Sequence, residues 1–250
     1  MQKILGYMRK AITEFDLIQN GDKIAVGVSG GKDSLILLRG LHDLRRFIGI
    51  DYDLTAITLD PCFSGVEGDY SEVVKLCREM GIPYILKRTQ IGEIVFDVRK
   101  ESHPCSLCAR MRRGALHDTA KEAGCNKIAL GHHFNDAVET FMMNLFIEGR
   151  LGCFSPKSYL SRKDITMIRP LVLAPEAEIK KATRKNNINV VKSKCPVDGH
   201  TKREEMKNYL MEMERKDNGF TERMFGALRR SGLDGWGYRS EEIMEESDYE

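Results

Sequence analysis

The stretch Ile24-Ala25-Val26-Gly27-Val28-Ser29-Gly30-Gly31-Lys32-Asp33-Ser34 decides how this chain is interpreted. Its first five residues form an apolar run typical of a buried strand, and apolar residues from Leu37 to Ile48 then fall on one helical face. A strand, a glycine loop and a helix in this order direct backbone N–H groups and a helix N-terminus at an anion. The paired glycines let the backbone approach a phosphate closely. A glycine-rich turn without a ligand is the alternative.

The polar side chains of this loop favour a phosphate ligand with a metal ion. Two hydroxyls can donate hydrogen bonds, Lys32 adds a point charge, and Asp33 suits a Mg²⁺ that bridges to phosphate. The ordinary P-loop is excluded, because its glycine and Ser/Thr positions hold Val26 and Asp33 here. The loop resembles the PP-loop of the N-type ATP pyrophosphatases, which grips the leaving pyrophosphate. That resemblance implies an ATP site at Ser29, Gly30, Gly31, Lys32, Asp33 and Ser34.

Composition and length describe an ordinary soluble protein. The 250 residues suffice for one sizeable domain, with 42% hydrophobic and 30% charged residues, and the net charge of +2 says little about partners. Lys3, Arg9 and Lys10 interrupt the first apolar residues, so no signal peptide is predicted. No membrane span is predicted either, because no uninterrupted apolar segment is long enough to cross a bilayer. The seven cysteines are therefore expected to be thiols, metal ligands or catalytic groups of a cytoplasmic protein.

Strand and helix patterns alternate along most of the chain. This predicts an α/β fold: a doubly wound, mainly parallel sheet flanked by helices, with an N-terminal helix and a helical C-terminal extension. The predicted division is 1–20 for the N-terminal helix, 21–192 for the PP-loop domain and 193–250 for the extension, which ends in an acidic tail. Strands are predicted over 24–28, 54–59, 83–87, 127–130 and 166–169, and helices over 1–19, 71–80, 105–123, 176–185 and from Asn135 onward.

A second turn, Gly131-His132-His133-Phe134-Asn135-Asp136, also follows a predicted strand. Because ligands bind at the carboxyl ends of parallel strands, this turn and residues 29–34 should line one crevice. Gly131 and His132 could contact ATP, and Asp136 could bind Mg²⁺ or act as a base. Alternatively, Asn135 caps a helix whose apolar face runs from Val138 to Phe146, and Asp136 merely complements the helix dipole.

A cysteine pair, Cys105-Ser106-Leu107-Cys108, opens a predicted helix whose N-terminus favours thiolates. Cys195 is a third candidate ligand. The three thiolates could hold zinc with His103, Asp198 or His200 as the fourth ligand, or a 4Fe-4S cluster with one iron left open. A redox pair is a further alternative, and the spacing does not decide among them.

Basic residues collect in two places, Arg110, Arg112 and Arg113 after the cysteine pair and the segment 178–203. That segment has eight Lys/Arg residues against two acids and includes Lys202 and Arg203. Basic residues near a crevice are typical of a polyanion site, so these five residues are predicted to bind RNA. The alternative is a solvated helix face.

Together these residues resemble the TtcA-type tRNA 2-thiocytidine synthetases, a branch of the PP-loop superfamily with an adenine nucleotide alpha-hydrolase-like fold. The resemblance covers most of the chain and includes the loop, the Cys-Ser-Leu-Cys-x-Arg-x-Arg-Arg-Gly stretch at 105–114 and the Gly-His-His turn. It continues in Glu139-Thr140-Phe141, Asn144, Gly149-Arg150-Leu151 and Arg169-Pro170-Leu171. It implies ATP with Mg²⁺ on Asp33 and Asp136, and a 4Fe-4S cluster on Cys105, Cys108 and Cys195, whose open iron holds the sulfur that is transferred.

The resemblance implies an ATP-dependent tRNA sulfurtransferase. AMP is transferred to the C2 oxygen of cytidine, sulfide attacks C2, and AMP departs; the sulfur comes from a cysteine desulfurase or sulfide, and family members are often homodimers. Two positions depart from the family pattern, Asp198 in place of a cysteine and Asn135 in place of an acid. The alternatives are the same chemistry on another nucleoside or a small molecule, a PP-loop ligase or amidotransferase, and a zinc-stabilised RNA-binding module.

Overall fold

Strand β1 lies inside a six-stranded sheet of order β3-β2-β1-β4-β6-β5. The computed structural model describes residues 1–99, 104–191, 195–196 and 202–237. Its strands are β1 (Asp22–Gly27), β2 (Tyr52–Asp60), β3 (Tyr84–Arg88), β4 (Lys127–Ala129), β5 (Lys157–Leu160) and β6 (Ile165–Ile168). Its α-helices are α1 (Gln2–Glu14), α2 (Lys32–Leu44), α3 (Ser71–Met80), α4 (Pro104–Glu122), α5 (Phe134–Phe146), α6 (Glu176–Lys185), α7 (Lys202–Lys216) and α8 (Phe220–Arg230).

The predicted doubly wound, mainly parallel sheet is confirmed. Parallel pairing joins β3 to β2, β2 to β1, β1 to β4 and β4 to β6, whereas β5 pairs antiparallel to β6 at the edge. The chain moves outward from β1 through β2 to β3 and then returns to β4 on the other side of β1. This reversal of direction leaves a crevice at the carboxyl ends of β1 and β4, where residues 29–34 and 131–136 begin.

Helices from both ends of the chain complete the main core. Buried Met8 of α1 contacts α2 at Gly40, where an added Cβ would come 2.4 Å from the Met8 sulfur. Helices α7 and α8 add Met206 and Phe225 to the same core. Trp236 is fully buried, and its indole N–H donates to the carbonyl of Phe154 at 2.8 Å. Within the described residues no helix combines the length and the apolar character that crossing a bilayer requires.

Several local expectations were wrong. Helix α1 ends at Glu14 rather than residue 19, and neither β5 nor the π-helical segment Glu93–Val98 was predicted. Asn135 does not cap α5. The cap is His133, whose imidazole accepts from the Asp136 N–H while the Asp136 carboxylate accepts from the His133 N–H.

The apolar face predicted for α5 is only partly buried. Val138 and Met142 are in the core, whereas Phe146 is 56% exposed and lies against Tyr209 of α7 with ring centroids 6.0 Å apart. The amide oxygen of Asn135 instead accepts from the Glu176 N–H at 2.9 Å and so joins α5 to α6. The three-part division of the chain stays a prediction, and the acidic tail, His103, Asp198 and His200 lie outside the described residues.

Candidate functional site

The PP-loop (residues 29–34) is preformed by its own hydrogen bonds. The Ser34 hydroxyl donates to the Gly31 carbonyl at 2.9 Å and accepts from the Ser29 N–H at 3.2 Å. Gly30 has a φ of +82°, and an added Cβ there would lie 2.7 Å from the Cβ of Val191. Glycine is therefore required at this position, both for the backbone conformation and for the close approach of a second segment.

Lysine and glutamate form a charged pair beside the loop. The Lys32 ammonium lies 3.0 Å from carboxylate oxygens of both Asp33 and Glu176. Burial alone would lower the pKa of Lys32, but these two carboxylates outweigh it and raise the pKa above its usual value. Burial would raise the pKa of Glu176, but hydrogen bonds from Lys32 and Lys180 lower it to about 2. Lys32, a member of the PP-loop, is thus held as a cation.

His133 lies between the two predicted magnesium ligands. Its Nε2 is 3.6 Å from Asp33 Oδ1, and its Nδ1 is 3.4 Å from Asp136 Oδ2. Among the described residues, the buried Asp33 Oδ1 has no hydrogen-bond partner. A buried carboxylate oxygen without a donor is costly, whereas Mg²⁺ binds such oxygens. Asp33 therefore fits a metal ion that would bridge to phosphate.

Arg203 contacts Asp136 directly. Its Nη1 is 3.0 Å from Asp136 Oδ1 and 3.7 Å from Glu139 Oε2, and its Nη2 donates to the Thr140 hydroxyl at 3.1 Å. Burial, with Asp136 nearby, raises the pKa of Glu139 to about 7 against the opposing effect of Arg203. The Arg203 side chain, which the sequence predicted to bind RNA, thus contacts the acidic residues Asp136 and Glu139 of α5.

His132 is held as a neutral imidazole. Burial, together with the charge of Arg169, lowers the pKa of His132 to about 4. Arg169 Nε lies 3.3 Å from His132 Nδ1, and both groups contact the Phe154 ring, at 4.9 Å and 5.0 Å from its centroid. Because Nδ1 accepts from Arg169, the single ring proton is on Nε2.

A cavity of about 560 Å³, the size of a small-molecule binding pocket, lies between Asp33, Asp136 and His132. The PP-loop and the turn after β4 share its wall, so the prediction that they line one crevice is confirmed. The lining side chains that bear on ligand binding are Ser29, Asp33, Ser34, Arg112, Arg113, His132, Asp136, Phe154 and Arg169. Arg112 and Arg113, which were predicted to bind RNA, thus face this cavity (the nucleotide cavity).

The three candidate cysteines converge near Arg112. Cys105 is exposed in the first turn of α4, Cys108 is buried one turn later, and Cys195 lines a smaller cavity of about 280 Å³ with Arg112. Burial raises the pKa of the Cys108 thiol, Arg112 lowers it, and Cys195 and Cys105 raise it further. Cys105 and Cys195 therefore each lie within electrostatic range of Cys108. In the described ranges, however, no three His, Cys, Asp or Glu side chains are already arranged as a metal-ligand set.

A backbone hydrogen bond ties the Cys195 segment to the PP-loop. Val191 donates its N–H to the Gly30 carbonyl at 2.9 Å, and the smaller cavity is bounded by Ser29, Gly31 and Cys195. Three convergent thiols, which are soft donors, beside an arginine fit an iron–sulfur cluster with an open position. The same three thiols also fit a zinc ion.

Comparisons with known proteins agree with this arrangement. The model of the PP-loop domain matches residues 4–214. A tRNA-cytidine(32) 2-sulfurtransferase from Geobacter sulfurreducens is 40% identical over 230 residues, which are 91% of this chain and 89% of that protein. One from Citrifermentans bemidjiense is 42% identical over 216 residues, 85% of this chain and 84% of that protein. This chain belongs to the tRNA-cytidine(32) 2-sulfurtransferase family of PP-loop proteins.

This chain is also similar to a protein of solved structure. The U34-tRNA thiolase NcsA from Methanococcus maripaludis, determined with its [4Fe-4S] cluster, superposes with a TM-score of 0.71 at 26% identity. The match covers 90% of this chain and 77% of that protein. The family resemblance inferred from the sequence is therefore confirmed.

Sequence reasoning missed four side chains of this PP-loop site. Arg169 follows β6 at the same edge of the sheet as the two motifs, so the rule that located them would have indicated it. Glu139 lies one helical turn after Asp136, a spacing that places both on one face. Neither Glu176 nor Phe154 carries a local signal, because each reaches the site only through the packing of α6 and of the segment before β5.

Proposed function

We propose that this protein catalyses ATP-dependent replacement of the C2 oxygen of cytidine 32 in tRNA by sulfur. The observation that carries the proposal is that the PP-loop and Cys195 bound one cavity, with Val191 hydrogen-bonded to Gly30 between them. The curated relatives at about 40% identity, named for this activity, support the choice of reaction and position. The cytosine C2 oxygen is a poor leaving group, so an activating step beside the sulfur is chemically required.

The reaction balances as two displacements. The C2 oxygen attacks the α-phosphorus of ATP and pyrophosphate leaves; a sulfide equivalent then attacks C2 and AMP leaves. PP-loop N–H groups and Lys32 would bind the departing pyrophosphate, and Asp33 with Asp136 would hold Mg²⁺. Neutral His132 would donate its Nε2–H to the nucleotide, and Arg112 and Arg113 would offset phosphate charge. Cys105, Cys108 and Cys195 would hold a 4Fe-4S cluster, which, when bound, supplies an iron that carries the sulfur.

The partners are part of the proposal. Exposed Arg110 and Lys202 flank the site and would contact the tRNA phosphates. Mg²⁺, a cysteine desulfurase or sulfide as sulfur donor, a homodimeric assembly and a cytoplasmic location remain predictions.

Nucleoside analysis of tRNA tests the activity. Bulk tRNA from cells with and without the gene is digested, and 2-thiocytidine and 2-thiouridine are quantified by mass spectrometry. We expect 2-thiocytidine to disappear without the gene and to return with wild-type protein or Cys125→Ala, but not with Cys195→Ala. Unchanged 2-thiocytidine in the deletion strain would overturn the proposal.

A second candidate is thiolation of uridine 34. The observation in its favour is the similarity to the U34-tRNA thiolase from Methanococcus maripaludis. Loss of 2-thiouridine rather than 2-thiocytidine in the same digest would select it. A PP-loop ligase or amidotransferase would leave both nucleosides unchanged.

A further inference from the structure

The smaller cavity is walled by a loop to which the chemistry described so far gives no role. Residues 61–70 connect β2 to α3 and form one side of this cavity through Phe63, Asp69 and Tyr70. The same cavity is also lined by the PP-loop residues Ser29 and Gly31, by Arg112 and by Cys195. Ser29, Leu59 and Arg112 also line the nucleotide cavity, so the two cavities are neighbours.

This loop is held in place by a buried carboxylate. Asp60, only 3% exposed at the end of β2, accepts from the Cys62 N–H at 3.0 Å and from the Gly68 N–H at 2.7 Å. An ion pair between Arg88 and Glu67, 2.8 Å long, adds a second tie on the outer side. The cavity wall is thus formed before any ligand arrives, as is usual for small-molecule sites.

Tyr70 and Asp69 give the wall a recognisable chemistry. Gly68 lies against the Tyr70 ring, where an added Cβ would come 2.6 Å from Cε2. The Asp69 carboxylate is oriented by the Ser71 N–H, which donates to it at 2.9 Å. A flat aromatic ring is a surface on which nucleobases stack, and a carboxylate accepts from the exocyclic amino group of cytosine.

We propose that this cavity receives the target base, with the pyrimidine ring against Tyr70 and its exocyclic amino group donating to Asp69. The inference rests on the proposed function, because the reacting C2 atom must meet both the α-phosphate of ATP and the sulfur. A base in this cavity borders both the PP-loop, through Ser29 and Gly31, and Cys195, as both requirements demand. A target base in tRNA must leave its stack to enter, and single-stranded loop bases do so at low cost.

The hydrogen bond from the exocyclic amino group to Asp69 also accounts for selection of cytosine over uracil. Uracil carries a carbonyl oxygen where cytosine carries the amino group, so it would place an acceptor against the Asp69 carboxylate. Two acceptors placed against each other repel, so the wrong base is disfavoured. Asparagine at position 69 can both accept and donate and would tolerate either base.

The test compares two substrates with the full-length, cluster-loaded protein. Transcripts with cytidine or uridine at position 32 are thiolated under single-turnover conditions, and ATP binding is measured separately. We expect Asp69→Asn to lower the preference for cytidine about tenfold or more, because one well-paired base contact contributes about that much discrimination. Tyr70→Ala should lower kcat/KM for tRNA about tenfold, Tyr70→Phe much less, and ATP affinity should stay unchanged in all three.

Glu79→Gln is the matched control, because it removes one negative charge from an exposed position of the neighbouring helix. It should act as wild type on both transcripts. A cytidine preference in Asp69→Asn equal to that of wild type, with Tyr70→Ala also unchanged, overturns the inference. If wild-type protein thiolates neither transcript, the proposed function itself fails, which is a distinguishable outcome.

Discussion

The guanidinium of Arg203 lies 3.0 Å from a carboxylate oxygen of Asp136, a residue that was expected to face a magnesium ion. Arginine and metal would compete for the same oxygen. Helix α7, which begins at Lys202, therefore contacts through Arg203 a residue that lines the 560 Å³ cavity, in addition to any charge that it presents to RNA.

Removing this arginine should strengthen metal binding. We expect Arg203→Ala to lower the Mg²⁺ concentration for half-maximal AMP formation about two- to fivefold, the range that a partly exposed ion pair contributes. Arg203→Ala should leave the salt dependence of tRNA binding unchanged. Lys202→Ala should reduce the slope of the logarithm of the binding constant against the logarithm of the salt concentration by about one. If Arg203→Ala reduced this slope and left the Mg²⁺ dependence unaltered, Arg203 would be an RNA-binding residue that does not affect metal binding.

Asp33→Ala should abolish conversion of ATP to AMP while the protein stays folded. The buried Oδ1 has no hydrogen-bond donor among the described residues, so it is the oxygen that fits a metal ion, whereas Oδ2 pairs with the half-buried Lys32 ammonium at 3.0 Å. The rate of AMP formation should fall about 100-fold or more, as when a charge-stabilising group of an active site is removed. Asp53→Ala, at an exposed position of β2, is the control for the charge change. Near-normal turnover in Asp33→Ala would contradict the PP-loop assignment.

Cys108→Ala should lose bound iron. Its thiol lies within electrostatic range of Cys105 and Cys195 and is buried, so no other cysteine can replace it without moving the helix. Iron and labile sulfide are quantified after anaerobic reconstitution, together with zinc. Cys125→Ala, which changes a buried cysteine of a separate cluster, should keep the metal content of wild type. Zinc at one equivalent without iron would show that the site is structural.

Glu139 should make stability depend on pH. Its pKa is raised to about 7 in the folded protein, so the folded state holds its proton more tightly than the unfolded chain does. The contribution of this group therefore falls as the pH rises from the usual glutamate value to about 7. Glu139→Gln should be about 1 to 3 kcal/mol more stable than wild type at pH 8 and nearly equal to it at about pH 4, below the usual pKa of a glutamate. Urea unfolding at both values measures this, and a pH-independent difference would refute it.

Substitutions of His132 should distinguish the contribution of its hydrogen bond to activity from the contribution of its packing. Glutamine can place an N–H near the position of Nε2, so His132→Gln should keep most of the activity, whereas His132→Phe should lose about tenfold. Arg169→Gln should raise the pKa of His132 by removing the adjacent positive charge. Nuclear magnetic resonance titration of the imidazole checks this shift, and an unchanged pKa would mean that Arg169 does not act on the ring.

The sheet and the site loops could be predicted from local patterns because β1, α2 and the glycines between them each carry their own signal. Helix α6 was predicted with its observed bounds, since Glu176 starts and Lys185 ends a run of matching periodicity. Strand β5 was missed because an edge strand of four residues with mostly half-buried side chains has little apolar alternation.

Contacts across long sequence separations could not be predicted in the same way. His133 replaced Asn135 as the cap because its imidazole fits between Asp33 and Asp136, which is a tertiary effect. Likewise, basic composition identified the segment 178–203, but only the fold shows that Arg203 faces Asp136. The sequence shows which residues are charged, whereas the group that a charged side chain faces depends on tertiary packing.

The burial of Trp236 sets an order of events for synthesis of the chain. Its ring packs against Phe154, which supports His132 in the nucleotide cavity, although 104 positions separate His132 from Trp236. A polypeptide still emerging from the ribosome therefore completes this wall only after residue 236 has been translated. Truncated products that end before Trp236 should lack a finished ATP site, so a prematurely terminated chain would not consume nucleotide.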